Sequence, residues 1–293
     1  MLSLHTNNAA LSAQNSLSRT QSTLSTSMTR LSTGYRINSA MDDAAGLQIA
    51  TRLKTQTSGM QVAMRNTQNS ISMLQTADGA LDQTTNILNR MKDLATQAAD
   101  GSSTAADKTA MQGEYDSLAD ELTNIFSNTK FGGTELFKTT GGKLNAAISF
   151  QIGADSAEKL DADFTTELGT ATDANSGIGS VSARFSADNA VPGGVGTELT
   201  GAANATISKL ATAIDSVSAL RSKIGAVSNR LDHVNSNLSN ISTNTKAAAG
   251  RIMDVDFATE SASMTSNQML LQAGTAMLKQ SNSQSSLVMS LLQ

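Results

Sequence analysis

A heptad seam constrains this chain more than any other feature. Leu210, Val217, Ile224, Leu231 and Leu238 recur seven apart, and Leu220, Val227, Val234, Ile241 and Ala248 form a companion track offset by three. A repeat sustained this long turns an α-helix into a narrow apolar strip that must be covered by another helix. Few charges flank the seam, so its partners are other segments of this chain and its copies. The first half carries a matching strip: Met60, Thr67, Leu74, Leu81, Leu88 and Ala95 are also seven apart. Met64 and Ile71 run beside it before Asp78 and Thr85 turn that second track polar. A helix from Met60 to Asp100 is roughly 60 Å long at about 1.5 Å per residue.

Composition agrees with thin helix-on-helix seams. Aromatic residues are 3% of the 293, with no Trp, so the side chains that bury most area are nearly missing. The one proline, Pro192, leaves most of the chain free to be continuous helix. Charged residues are 16% and the net charge is −4, which gives no pull toward nucleic acid or an anionic membrane. With no cysteine there is no disulfide, thiol nucleophile or Cys-based metal site. The first residues lack the basic and apolar regions of a secretory signal, and no window approaches a membrane span. Export, if it occurs, is expected to use no cleaved signal of that kind.

The two ends repeat the helical pattern more weakly. Leu17, Leu24 and Leu31 are seven apart, with Met28 and Tyr35 on a second track. Gly34 interrupts this helix, and Asn38-Ser39 offers a cap for one restarting near Met41. A shorter helix is predicted from Ala105 to Asn128, its apolar face including Met111, Tyr115, Leu118, Leu122, Ile125 and Phe126. Residues 126–185 hold six of the seven phenylalanines, and the stretches 131–137 and 147–152, alternating around Gly141-Gly142, predict a hairpin. From about Glu167 to Thr200 the chain is rich in Gly, Ser, Thr and Ala, a surface excursion with little core potential. Helix resumes from Arg251 with Met264, Leu270, Leu271, Met277, Leu278, Leu291 and Leu292.

The predicted class is therefore mainly α: long antiparallel coiled-coil-like helices with a small β-hairpin region and paired N- and C-termini. Both terminal segments are left with apolar stripes and no large core. Leu17, Leu24, Leu31, Leu270, Met277, Leu278, Leu291 and Leu292 are the expected assembly seam. Such segments are expected to order when neighbouring copies cover them.

Other constellations give way to plainer readings. His5 and His233 lie far apart, and Asp232 beside His233 faces another side of its helix, so no nucleophile–base arrangement emerges. Asp42-Asp43 reads as a charge cluster at a helix start. Gly177-Ile-Gly179 and Gly193-Gly-Val-Gly196 lack the strand and helix that a phosphate loop needs. The 13 methionines at helical spacing read as seam filling. No catalytic, cofactor or metal residues are assigned, and an enzyme is not expected.

Leu31-Ser-Thr-Gly-Tyr-Arg-Ile-Asn-Ser-Ala-Met-Asp-Asp-Ala-Ala-Gly-Leu-Gln-Ile-Ala50 closely resembles the N-terminal motif of bacterial flagellins. Arg251-Ile-Met-Asp-Val-Asp-Phe-Ala-Thr-Glu260, Gln272-Ala-Gly-Thr-Ala-Met-Leu278 and Val288-Met-Ser-Leu-Leu292 resemble the matching C-terminal region. Thr129-Lys-Phe-Gly-Gly133 and Phe150-Gln-Ile-Gly-Ala154 are similar to the family's hairpin region. Departures are Gln293 where Arg is common, Ser281-Asn-Ser-Gln in place of an Ala-Asn-Gln run, and Met41 where Lys is usual. The short excursion implies a compact form without large outer domains, a group that includes lateral flagellins.

The resemblance implies a subunit that polymerises into the extracellular flagellar filament for motility, the rival being a hook–filament junction protein. It implies an inner terminal-helix domain from 1–45 and 255–293, and a helical domain over 46–165 with its hairpin near 130–165. A variable excursion over 166–202 and a long helix over 203–254 complete that division. Implied partners are copies of the chain, a flagellar cap protein, a hook-associated junction protein and an export chaperone on the C-terminal helix. The implied route is unfolded export through the flagellar type III apparatus. Leu88-Asn-Arg-Met-Lys-Asp-Leu-Ala-Thr96 resembles the flagellin segment that a Toll-like innate immune receptor recognises. Arg90, Leu94 and, on the next helix, Glu114 match its positions, while Asn89 and Lys92 depart from it; all are expected to serve filament packing too.

Overall fold

The computed structural model describes residues 7–139, 141–188 and 195–291, with side chains in the last helix described through 284. His5, Pro192, Leu292 and Gln293 lie outside the described residues, as does the side chain of Leu291. Six α-helices are described: α1 (Asn8–Thr33), α2 (Ala44–Ala99), α3 (Ala105–Asn128), α4 (Thr165–Thr172), α5 (Glu198–Met253) and α6 (Phe257–Leu291). The strands are short: β1 (Lys130–Phe131), β2 (Thr134–Glu135), β3 (Ile148–Gln151) and β4 (Lys159–Ala162). Many Ser and Thr hydroxyls in these helices are satisfied within the helix, donating back to the carbonyl four residues earlier. In α1 alone Thr20, Thr23, Thr26, Thr29 and Thr33 all do so, at 2.9–3.1 Å.

The chain divides into two compact units, Met1–Thr57 with Thr243–Gln293, and Ser58–Ser242. In the second unit the two heptad strips are the core. Met60, Thr67, Leu74, Leu81, Leu88 and Ala95 of α2 are buried, as are Leu210, Val217, Leu220, Ile224, Leu231 and Leu238 of α5. Val227 and Val234 on the companion track are half-buried, and Ile241 is exposed. Met60 packs with Leu238 in a small cluster, and Arg221 binds Asp78 (2.9 Å) and Asp82 (3.0 Å) across the helices. Ion pairs this exposed fix register more than they add stability.

The core thickens where the phenylalanines lie. Phe126 packs against Phe137 at 5.1 Å between centroids and edge-on against Phe185 at 5.4 Å. α3 begins with a capping box, Thr104 and Asp107 each bonding the other's backbone N–H. Two separate antiparallel hairpins replace the single one expected around Gly141-Gly142. Gly132 and Gly133 both take positive φ (58° and 83°), so the chain turns at once and Phe131 pairs with Thr134. β3 pairs instead with β4, in a register that sets Phe150 opposite Leu160 and turns Ile148, Phe150, Leu160 and Ala162 into the core.

The predicted excursion is partly core. Leu168 and Ala171 of α4, then Ile178, Val181 and Phe185, are all buried. α5 starts at Glu198, with non-helical backbone at Ala202 (φ −148°, ψ 38°). α2 starts at Ala44, well before the periodic strip. Its cap is Asp43, whose Oδ1 accepts the Gly46 N–H at 2.8 Å, in place of the expected Asn38-Ser39. Asn38 and Ser39 instead donate their backbone N–H groups to Asp42 Oδ2, closing the preceding turn.

Candidate assembly surface

Within the unit that holds both termini, α1 and α6 pack against each other, running antiparallel. Three contacts set their register. Asn7 Nδ2 donates to Ser281 Oγ at 3.2 Å, Leu17 Cδ1 lies 3.1 Å from where a Cβ on Gly274 would sit, and Arg30 meets Glu260 at 3.8 Å. That register sets Ala13 level with Leu278, Thr20 with Leu271, Leu24 with Asn267, and Ser27 with Met264. Large side chains alternate with small or polar ones at each level, so the helices lie close with little apolar area between them. Ser27 is the buried residue of α1. Leu17, Leu24, Leu31, Leu271 and Leu278 are half-buried, while Leu270 and Met277 are 56% and 69% exposed.

At one end the pair is clasped by backbone. Gly34 ends α1 in the left-handed region (φ 76°), which turns the chain toward the α5–α6 connection. Tyr35 and Asp254 form an isolated antiparallel bridge. The Arg36 N–H donates to the Met253 carbonyl at 2.6 Å, the Val255 N–H to the Gly34 carbonyl at 3.0 Å, and the Arg36 guanidinium to the Ile252 carbonyl at 2.8 Å. Ile37 is buried, and its Cδ1 lies 2.8 Å from where a Gly46 Cβ would sit, with the Asp43 carboxyl closer still, so a larger residue there would have to displace both side chains. Carboxylates shape both turns. The Ser39 and Asn38 N–H groups hold the Asp42 carboxyl below its usual range, and the Thr259 hydroxyl, with backbone at Ala258 and Thr259, does the same for Asp256.

A second surface lies on α2 and α3. Arg90 donates from Nε (2.9 Å) and Nη2 (2.7 Å) to Glu114 Oε1, and both side chains are exposed. Leu94 is 2% exposed and belongs to the core, so Arg90 and Glu114 are the two of the three presented to solvent. His233 is exposed on α5.

A buried polar network escaped the sequence reading. Gln112, with no exposed surface, donates to Asp116 Oδ1 (2.8 Å) and Glu198 Oε2 (2.9 Å) and accepts the Leu199 N–H at 2.7 Å. Asp116 also accepts from Gly196 N–H at 3.0 Å, and Glu198 from Ala183 N–H at 3.1 Å. Tyr115 donates to the Val181 carbonyl at 2.8 Å; burial, then the nearby Glu198 and Asp116 carboxylates, push its phenol far up. Arg184 grips Asp120 with two N–H donors at 3.0 and 2.6 Å. Together these bonds pin the 181–186 segment and the start of α5 to α3.

Residues 4–142 match the model of the bacterial flagellin N-terminal helical region, and residues 207–292 match that of the C-terminal helical region. Flagellin A of Vibrio anguillarum is 34% identical over 100% of both chains. Polar flagellin B/D of Vibrio parahaemolyticus is 34% identical over 99% of both. A solved structure of a putative flagellar hook-associated protein from Vibrio parahaemolyticus has the same fold at a TM-score of 0.57 and 16% identity, covering 73% of this chain and 100% of that one.

Proposed function

Because this chain belongs to the bacterial flagellin family of structural proteins, and is a subunit of the extracellular flagellar filament that drives motility, we propose that α1 and α6 are its assembly surface. The observation that carries this reading is the half-finished packing of that pair. Its seam is half-buried on one side, while Phe257, Met269, Leu270 and Met277 stand 56–69% exposed on α6. Exposed side chains of this size on one helix suit burial against copies of the same chain. The clasp at Tyr35–Asp254 sets the register in which the two helices pair as a neighbour covers them. Ordering of the pair is completed by that burial.

The same surface is the reading for the other partners. An export chaperone takes the apolar face of α6 before assembly, on the route through the type III apparatus. The cap protein and the hook-associated junction protein meet the same terminal pair at the two ends of the filament. Removing residues 264–293 tests the core of this reading. The expected product is soluble, with the α2, α3 and α5 helices intact by circular dichroism, and does not polymerise. Filaments at normal yield from that truncation would falsify it.

The hook-associated alternative is not favoured: the hook-associated neighbour shares the fold at 16% identity, whereas flagellins match at 34% over the whole chain. Arg90 and Glu114 form the proposed contact for a Toll-like receptor, with Leu94 supporting α2 from the core. Their exposure on an ion-paired patch supports this. Arg90→Ala is expected to reduce receptor signalling by soluble monomer, and an unchanged dose response counts against it.

A further inference from the structure

The exposed methionines among the described residues lie in one unit, the terminal one, where Met253 and Met264 are half-buried. The chain has 13 and no cysteine, so the thioether is its most readily oxidised side chain. In the Ser58–Ser242 unit, Met60, Met73 and Met91 are 0–7% exposed, and Met64 and Met111 are half-buried. In the terminal unit, Met28, Met41, Met269 and Met277 are 57%, 96%, 61% and 69% exposed. Two of these four flank Leu270 on α6, and Met41 lies in the turn beside the clasp. Three of these four, Met28, Met269 and Met277, thus lie on the helices that the reading above assigns to assembly, and Met41 lies in the turn that follows α1.

We propose that these four thioethers are modification sites through which a peroxide controls polymerisation; the inference rests on α1 and α6 being the assembly surface. The sulfur lone pair attacks one peroxide oxygen, and the O–O bond breaks. The departing oxygen takes up the proton of the transferred one and leaves as water. Sulfur is oxidised to the sulfoxide and the peroxide is reduced. A flexible apolar side chain becomes a polar one with a strong acceptor. Burying it between subunits without a donor is unfavourable, whereas leaving it in water on the free subunit is not. Each sulfoxide on the contact surface raises the critical concentration for assembly about tenfold, equivalent to about 1.4 kcal/mol. The buried methionines of the other unit escape, so the fold survives while assembly is lost.

The test treats the full chain with graded hydrogen peroxide, maps sulfoxide by peptide mass spectrometry, and measures polymer yield by sedimentation. Met28, Met41, Met269 and Met277 are expected to oxidise before Met60, Met73 and Met91, with helical content unchanged and polymer yield falling in step. Methionine sulfoxide reductases A and B, one for each epimer, are expected to restore the yield. In the double variant M269L/M277L, the oxidised yield as a fraction of that variant's own unoxidised yield is expected to rise toward one. Full sulfoxide at all four positions with unchanged polymer yield overturns the inference, as does a loss that follows oxidation of Met60, Met73 or Met91. The truncation of 264–293 separates the two readings. If it polymerises, the assembly surface itself is wrong. If it does not, and the oxidised full chain still assembles, only the redox control is wrong.

Discussion

Gly274 of α6 faces Leu17 of α1 at close range, and its replacement tests the terminal pair at a single atom. A Cβ there would lie 3.1 Å from Leu17 Cδ1, several tenths of an ångström inside ordinary carbon–carbon contact. The atom that must yield is the end of a half-buried, flexible side chain. For Gly274→Ala the helix gains about 1 kcal/mol of propensity, which exceeds the cost of that small shift, so the variant is expected to be neutral to slightly stabilised. For Gly274→Leu the propensity gain is similar, but three more carbons must enter space that Leu17 occupies. Overpacking of this kind costs about 1–3 kcal/mol. The net loss, up to about 2 kcal/mol, should appear as a rise in critical concentration of up to about thirtyfold, at about 1.4 kcal/mol per factor of ten. Sedimentation after seeded polymerisation measures it. Moving the bulk across the seam, Leu17→Ala with Gly274→Leu, should recover much of the loss, giving a coupling of about 1 kcal/mol in the double-mutant cycle. Equal critical concentrations for the Ala and Leu variants, or no coupling, would refute the register.

Three further outcomes follow from the same structure. Gln112→Leu removes the donor shared by the buried Asp116 and the half-buried Glu198, and should lower unfolding free energy by about 1–3 kcal/mol in a urea titration, with polymerisation at low temperature retained. Arg90→Ala should change stability by less than about 1 kcal/mol, because the pair is exposed, so its effect on receptor signalling is not a folding effect. Asp42 and Asp256 have folded-state pKa values below the 3.8 of the unfolded chain, so their stabilisation is complete above that value and lost as pH falls through the lower folded one. Acidification below about pH 3.8 should loosen the clasp, read as faster amide exchange at Arg36 and Val255, and D42N/D256N should flatten that dependence.

The long seams were legible because a seven-residue period has one structural meaning, and every residue of the strips from Met60 to Ala95 and from Leu210 to Leu238 is buried. Pairing of the termini was legible from a weaker period: Leu17, Leu24 and Leu31 are all half-buried, and Leu17 approaches Gly274 of α6. What was lost has physical causes. Leu168, Ile178 and Phe185 are core residues at irregular spacing in a Gly- and Ser-rich stretch, where no period marks a face. Gln112 is 86 residues from Glu198, and a polar residue gives no sign in sequence that it will be buried against a carboxylate so far along the chain. The cap of α2 was one of several adjacent candidates, Asn38, Ser39, Asp42 and Asp43, and only backbone geometry chooses among them. The burial of Leu94 was legible as well. With Met91, Ala95 and Ala98 it completes an apolar helical face, and that spacing alone places it inside.

The contrast between the two units bears on why the terminal pair suits assembly. In the larger unit, α5 alone buries Leu210, Val217, Leu220, Ile224 and Leu231 to 1% exposure or less. Each such side chain is worth about 1.5–3 kcal/mol, enough to hold long helices without help. α1 matches none of this: Leu17, Leu24 and Leu31 are half-buried, Leu11 is exposed, its buried residue is a serine, and its levels alternate leucine with glycine, threonine or asparagine. Two helices of 26 and 35 residues joined by so little apolar area gain too little to offset the entropy of ordering them. A seam rich enough to close on itself would be stable alone and indifferent to neighbours. One as thin as this leaves apolar side chains such as Leu11, Met28, Leu270 and Met277 uncovered, and makes the free energy of folding the pair depend on the copies that cover them. Filling the seam is therefore expected to work against assembly control. Asn267→Leu, opposite Leu24, should raise the melting temperature of the free subunit and lower the concentration at which it polymerises without seeds. A free subunit no more stable than the parent would show that the pair is already closed.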